Sequence, residues 1–384
     1  MKFIPFFISC MIFLSCNSQD ILRTGAEQIE AYDSLIKTKN IGLVVNQTSM
    51  VGKTHLVDTL LSRSINIIKI FSPEHGFRGK ADAGEKIEDN TDPETGIKLI
   101  SLYGKNKKPQ KRQLKGIEVM IFDIQDVGVR FYTYISTLHY VMEACAEQNI
   151  KLIVLDRPNP NAHYIDGPVL DTAFRSFVGM HPVPIVHGMT IGEYAKMING
   201  EGWLSNNVKC NLFVIKCKNY THMTQYSLPV RPSPNLKDSI AIALYPSLCL
   251  FEGTGISVGR GTNAPFTMFG HPEIKGTFSF TPHPIEGAKN PKHETKLCYG
   301  KDLSLFEIPM QSLNLNWLIE SYDQYKNKKT FFNSFFNKLA GNNTLKNDII
   351  SGKSENEIKK TWEKPLKEFK RKRKKYLLYT DLKE

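Results

Sequence analysis

The first half of the chain predicts a doubly wound α/β domain over residues 21–190, and three observations carry that prediction. Runs rich in Ile and Val recur, stretches of helical spacing lie between them, and polar residues cluster directly behind the runs. Strands that are apolar throughout, alternating with helices, indicate a parallel sheet covered on both faces. With 384 residues, the chain has the length for two domains and a full hydrophobic core.

The element order opens with an export address. Met1-Lys2 precedes an apolar run over 3–16, and the polar Asn17-Ser18-Gln19-Asp20 ends it. One positive charge, a short apolar stretch and an abrupt polar end make a secretory signal, too short to span a membrane comfortably. Phe13-Leu14-Ser15-Cys16 resembles a bacterial lipobox. Residues 1–16 therefore read as a lipoprotein signal peptide ending at a lipidated Cys16. The mature protein is then expected in the cell envelope, anchored in a bacterial membrane, the outer membrane facing the periplasm.

Strands are expected at 41–46, 65–71, 119–124, 151–156 and 184–188, with helices at 53–63 and 132–148. Thr190, with Glu193 three residues on, forms a capping box that opens another helix. Residues 191–384 read as a separate, less regular domain in which Pro, Gly and aromatic residues increase. There 211–217 reads as a strand, and the prolines of 229–234 make a stiff extended segment. The glycine-rich loop 252–262 lacks Gly-x-Gly-x-x-Gly spacing, as does the first strand, so no nucleotide cofactor is expected. Its glycines let the backbone turn sharply or approach a ligand closely. Ser354-x-x-Glu357 opens a helix through Trp362 and Phe369, which ends in the basic run Lys370–Lys375.

Composition narrows the class. Apolar residues make up 41% and charged residues 23%, which excludes a collagen, a coiled coil and a chain disordered throughout. The net charge is +12, and residues 353–384 hold 12 basic against 6 acidic residues, half of that surplus. The remainder is mildly basic, which fits an anionic substrate or surface and gives no reason to expect nucleic acid. No CxxC pair occurs among the seven cysteines, so no structural zinc is indicated and buried thiols are expected.

Five polar clusters follow the expected strands: Asn46–Ser49, Ser72–Gly79, Asp123–Arg130, Asp156–Pro160 and His187-Gly188. Ligands bind at the carboxyl ends of strands in an open parallel sheet, so all five should converge on one edge. The segments NQTS, SPEHGFRG, FDIQDVGVRFYTY, DRPNP and VHGMTIGEYA, followed by RPSPN, YPSLCLFEGT and SVGRGT, resemble in kind and order the exo-β-N-acetylmuramidases of the NamZ type. The resemblance covers nearly the whole mature chain. It implies a Rossmann-like domain joined to a smaller α+β domain, with the active site in the cleft between them. It also implies release of terminal N-acetylmuramic acid from the non-reducing end of peptidoglycan fragments.

Glycoside hydrolysis calls for a carboxylic acid to protonate the leaving oxygen and a second group as nucleophile or base. Glu74 is the candidate acid, and the resemblance points to the same glutamate, that of SPEHG. His75 can tune it or bind the sugar. Asp126 is the candidate second carboxylate, with Asp123 and Glu252 as rivals, and Tyr132 and Tyr134 as sugar-lining groups. The lactyl carboxylate of muramic acid calls for a planar cationic fork. Arg130 and Arg231 are the first expectations for it, ahead of Arg78, Arg157 and Arg260. Asp156, His187 and Asn235 complete the candidate binding residues, and no metal is expected. Two rival readings stay open: a metal-dependent peptidoglycan deacetylase or amidase using His75, His187 and Asp residues, and a peptidoglycan-binding lipoprotein without turnover.

Overall fold

Every residue of a strand buried on both sides must be apolar, and the first strand, β1 (Ile41–Val45), is buried at all five positions. The computed structural model that contains it describes residues 21–73, 77 and 90–382. A small hairpin, β2 (Met50–Val51) and β3 (Thr54–His55), follows β1. The next strands are β4 (Ile67–Ser72), β5 (Asn90–Thr91), β6 (Lys98–Ser101), β7 (Val119–Asp123), β8 (Lys151–Leu155) and β9 (Leu212–Ile215). They join β1 in a seven-stranded sheet of order β5-β6-β4-β1-β7-β8-β9. All pairings are parallel except β5 with β6.

Counted along the chain, the six parallel strands lie in the order 3-2-1-4-5-6, the doubly wound Rossmann order, which reverses between β1 and β7. Alternation along each strand sends Leu43, Val45, Ile121, Ile153 and Leu155 to one face and Val44, Phe122, Leu152 and Val154 to the other. Helices α1 (Asp33–Ile36) and α2 (Leu56–Leu61) lie with the first set. The second set packs with α3 (Lys111–Leu114), α4 (Tyr134–Glu147) and α5 (Ile191–Gly200). Thr190 and Glu193 make both reciprocal bonds of the capping box at the start of α5.

The second unit begins with α6 (Ser239–Leu248) and holds a three-stranded antiparallel sheet of β10 (Met268–His271), β11 (Phe278–Phe280) and β12 (Cys298–Asp302). Helices α7 (Asn316–Gln324), α8 (Lys328–Phe331), α9 (Phe336–Ala340), α10 (Thr344–Ile350), α11 (Glu355–Lys360) and α12 (Glu363–Arg373) follow. One apolar cluster runs without a break from the α4 face of the large sheet into α6, α7 and α9, so the two units share a core.

Three expectations are corrected. The boundary at 190/191 cuts the sheet unit, because α5 and β9 belong to it; Leu212↔Leu152 through Ile215↔Leu155 pair in register. Residues 184–188 form no strand and make only single bridges, from Val186 to Val129 and Asp166. Pro182 and Pro184 remove the donors a ladder needs. The helix opened by the Ser354–Glu357 capping box is two helices, α11 and α12, broken at Thr361-Trp362. Its basic run is only partly a solvated end. Arg373 is buried, donating to the Gly188 carbonyl and to Asp381 at 2.7 Å.

Candidate active site

The strand order reverses between β1 and β7, so the crevice beyond their carboxyl ends is the expected ligand position. Asn46 organises it. Its Oδ1 accepts from the Thr48 amide at 2.9 Å and hydroxyl at 2.6 Å, and Thr48 Oγ1 accepts from the Gln125 amide at 3.0 Å. Asn46 Nδ2 donates to the Tyr134 hydroxyl at 3.0 Å. The RPSPN segment of the second half lies across this crevice. Gln47 donates to the Arg231 carbonyl at 3.1 Å, and the Tyr132 and Tyr134 hydroxyls donate to the Pro232 carbonyl at 2.8 and 3.2 Å.

Beside that bridge opens a cavity of about 270 Å³. The sheet unit contributes Tyr103, Phe131, Tyr132, Thr133, Tyr134 and Phe177 to its wall; the second half contributes Ser233, Asn235, Tyr245, Glu252, Arg260, Phe266 and Phe335. Tyr132 and Tyr134 meet edge to face at 4.9 Å. Glu252 and Arg260 are the charged lining residues among those described. Arg260 Nε donates to Glu252 Oε1 at 3.0 Å, and the guanidinium lies 5.0 Å from the centre of the Phe266 ring. Burial pushes the Glu252 carboxyl up, but Arg260 and Lys292 outweigh it and hold it below the usual range. It is ionised at neutral pH. Lys292 Nζ is fixed on the carbonyls of Phe251, Glu252, Thr254 and Ile256, at 2.9–3.3 Å.

The expected residues divide sharply. Glu74, His75 and Arg78 lie outside the described residues, as does Cys16; β4 ends at Ser72 and Pro73 follows it. Tyr132, Tyr134, Asn235, Glu252 and Arg260 line the cavity. The Arg231 side chain is exposed and takes no part in the lining. Asp126 sits at the sheet edge yet is buried. Its Oδ2 accepts from the Gly128 amide at 2.7 Å, Oδ1 has no partner among the described residues, and burial pushes its pKa up to about 7.

Five candidates are built into the frame. Asp123 is fully buried and chelated by Arg157, at 2.6 and 2.9 Å, so each spends its charge on the other. Asp156 accepts from Thr190 at 2.7 Å, Gly192 at 2.8 Å and Tyr379 at 2.5 Å, joining β8, α5 and the C-terminal segment. Arg130, a first choice for the carboxylate reader, is 0% exposed. Its terminal nitrogens donate to the carbonyls of Pro168, Val183, Leu339 and Ala340 at 2.7–2.8 Å, leaving them nothing to offer a sugar. His187 is fully buried, and burial together with Arg373 and Arg130 pushes its pKa down to about 3. Among the described residues, no three His, Cys, Asp or Glu side chains come together as a metal site. Tyr245, Ser233, Phe335 and Lys292 escaped sequence reasoning. Tyr245 at least stood inside a recognised segment, whereas Lys292 and Phe335 carried no local signal.

The family model described as exo-beta-N-acetylmuramidase NamZ, N-terminal, matches residues 41–240, and its C-terminal counterpart matches 243–379. The seam between them agrees with the start of α6. The peptidoglycan beta-N-acetylmuramidase NamZ of Bacillus subtilis (strain 168) is 39% identical over 93% of this chain and 91% of its own. Two crystal structures of DUF1343 family proteins from Bacteroides fragilis NCTC 9343 each cover 94% of this chain, and 99% of each is matched. One is 48% identical with a TM-score of 0.88, the other 27% identical with a TM-score of 0.83. With both halves matched in order and a relative this similar along its length, the chain belongs to the NamZ family of exo-β-N-acetylmuramidases.

Proposed function

We propose that the chain is a glycosidase that removes terminal N-acetylmuramic acid from the non-reducing ends of peptidoglycan fragments during cell-wall turnover. The observation that carries this reading, beside the family, is the cavity between the two units. It joins aromatic faces, hydroxyls and one ion pair at the sheet's carboxyl edge. Its volume of about 270 Å³ lies at the lower end of ligand sites. That suits one terminal sugar ring and so an exo mode of attack.

On this reading Glu74, which follows Pro73 in the chain, is the general acid, with His75 beside it. Glu252, ionised and on the cavity wall, is the better second carboxylate. It is available to activate water or to stabilise the positive charge that develops at the anomeric carbon. Asp126, its pKa pushed up to about 7 by burial, is only partly ionised at neutral pH and holds the turn before Arg130 through the Gly128 amide. The aromatic faces of Tyr132 and Tyr134 seat the sugar.

The test is release of free N-acetylmuramic acid from an N-acetylmuramyl-N-acetylglucosamine disaccharide. Glu74→Gln is expected to lower kcat by at least about 10²-fold, and a chelator to leave the rate unchanged. Loss with chelator and recovery with zinc would establish the deacetylase or amidase instead. Saturable binding without product would establish a binding protein. The same reading has the mature chain lipidated at Cys16 and held in the cell envelope. Cys16→Ser then moves it to the soluble fraction; a variant that stays with the membranes at unchanged mass overturns the anchor.

A further inference from the structure

We infer that Arg260, aligned by Glu252, is the group that reads the lactyl carboxylate of the terminal sugar. The inference rests on the muramidase reading above. Arg260 is the one cation on the cavity wall among the described residues. Only its Nε is spent, on Glu252. Its two terminal amino groups have no hydrogen-bond partner among the described residues and are not sealed from the cavity. The guanidinium plane is fixed twice, by the carboxylate at 3.0 Å and by the Phe266 face. A fork held in one orientation loses little freedom when it binds a second planar group, and a carboxylate matches it with two parallel bonds.

The charge balance points the same way. Glu252 cancels one cation, but two face it, Arg260 and Lys292. Among the described residues, Lys292 donates to four carbonyls and to no carboxylate. Among those residues the surplus around Glu252 is one positive charge, which a monoanionic ligand neutralises. Among the described residues, competing cations are committed or absent from the lining. Arg130 is held by four carbonyls and Arg157 by Asp123; Arg231 is exposed outside the cavity. N-acetylmuramic acid and N-acetylglucosamine differ only at the lactyl ether, so discrimination between them has to act there. Leaving the fork unpaired penalises the sugar that lacks the acid.

The experiment compares kcat/KM for two chromogenic muramides, one with the free lactyl carboxylate and one with the lactyl carboxamide. Wild type is expected to prefer the carboxylate by about 10²-fold, the effect of a charge-assisted bidentate pair. Arg260→Met should bring the ratio to within about threefold of unity, and Arg260→Lys, which keeps charge without the fork, to about tenfold. Arg260→Gln keeps an amide donor toward Glu252 without the charge, leaves Glu252 in place and serves where Arg260→Met does not fold. A ratio near 10²-fold in Arg260→Met or Arg260→Gln overturns the assignment while the muramidase reading stands. A wild type that cleaves neither muramide overturns that reading, and this assignment with it.

Discussion

Replacing Arg130 with Met separates a frame residue from a ligand-binding one. The Arg130 guanidinium joins two carbonyls of the sheet unit, Pro168 and Val183, to Leu339 and Ala340 at the end of α9. The last carbonyls of a helix have no partner of their own and carry the negative end of its dipole, so a cation caps them well. Met fills much of the volume but donates nothing. Each stranded buried carbonyl costs about 1–3 kcal/mol, and part of that is offset because a buried charge no longer has to be desolvated. The net loss is about 3–5 kcal/mol, which for a chain of this length lowers Tm by about 4–6 °C. Gly341, at φ 76°, lies behind the same guanidinium, and a Cβ there would sit 2.7 Å from Arg130 Nη2. Gly341→Ala should therefore destabilise in the same direction. Thermal unfolding followed by circular dichroism gives Tm, and the carboxylate-to-carboxamide ratio at 25 °C gives specificity. Tm should fall while the ratio stays at its wild-type value. An unchanged Tm with a collapsed ratio would refute the argument and return Arg130 to the sugar.

Three further expectations follow from the same geometry. His222 is buried between Glu193 and Asp381, each 2.9 Å away; burial pulls its pKa down, but the two carboxylates outweigh it and leave it raised. A raised folded pKa means the stabilisation is complete below about pH 6.5 and is lost as pH rises through the folded value. His222→Gln should therefore lower Tm more at pH 6 than at pH 9, and equal losses would count against the network. Gly128 has φ 76°, and a Cβ there would lie 2.2 Å from Asn159 Oδ1. Gly128→Ala should thus cost about 2–4 kcal/mol in denaturant unfolding, and a change under about 0.5 kcal/mol would contradict the strain. Lys292→Met frees the loop that carries Glu252, and is expected to lower kcat/KM for the carboxylate muramide about tenfold, a loss of about 1.4 kcal/mol. An unchanged kcat/KM would count against the anchoring role.

What could be read from the chain follows from how far each property depends on neighbours. Strands β1, β4, β7 and β8 announce themselves because burial on both faces demands apolar residues at nearly every position. Strand β6, four residues long, carries too little pattern to be recognised. Residues 212–215 were legible as a strand but not as the edge of the large sheet, because sheet order depends on a crossover through α5 that no local pattern encodes. The site divides in the same way. Val129-Arg130-Phe131 and Gly259-Arg260-Gly261 both put an arginine in a turn of a recognised segment. What separates them is that α9, 209 residues further along, lays its terminal carbonyls on Arg130, while among the described residues the hydrogen-bond partner of Arg260 is Glu252, eight residues away. The crevice between β1 and β7 makes the same point. In a doubly wound fold this position commonly takes a ligand, yet here the Pro232 carbonyl is bound there by Tyr132 and Tyr134. Since those tyrosines also line the cavity, the segment that fills the usual crevice fixes the wall of the site beside it, and substrate specificity passes to the unit that supplies Glu252 and Arg260.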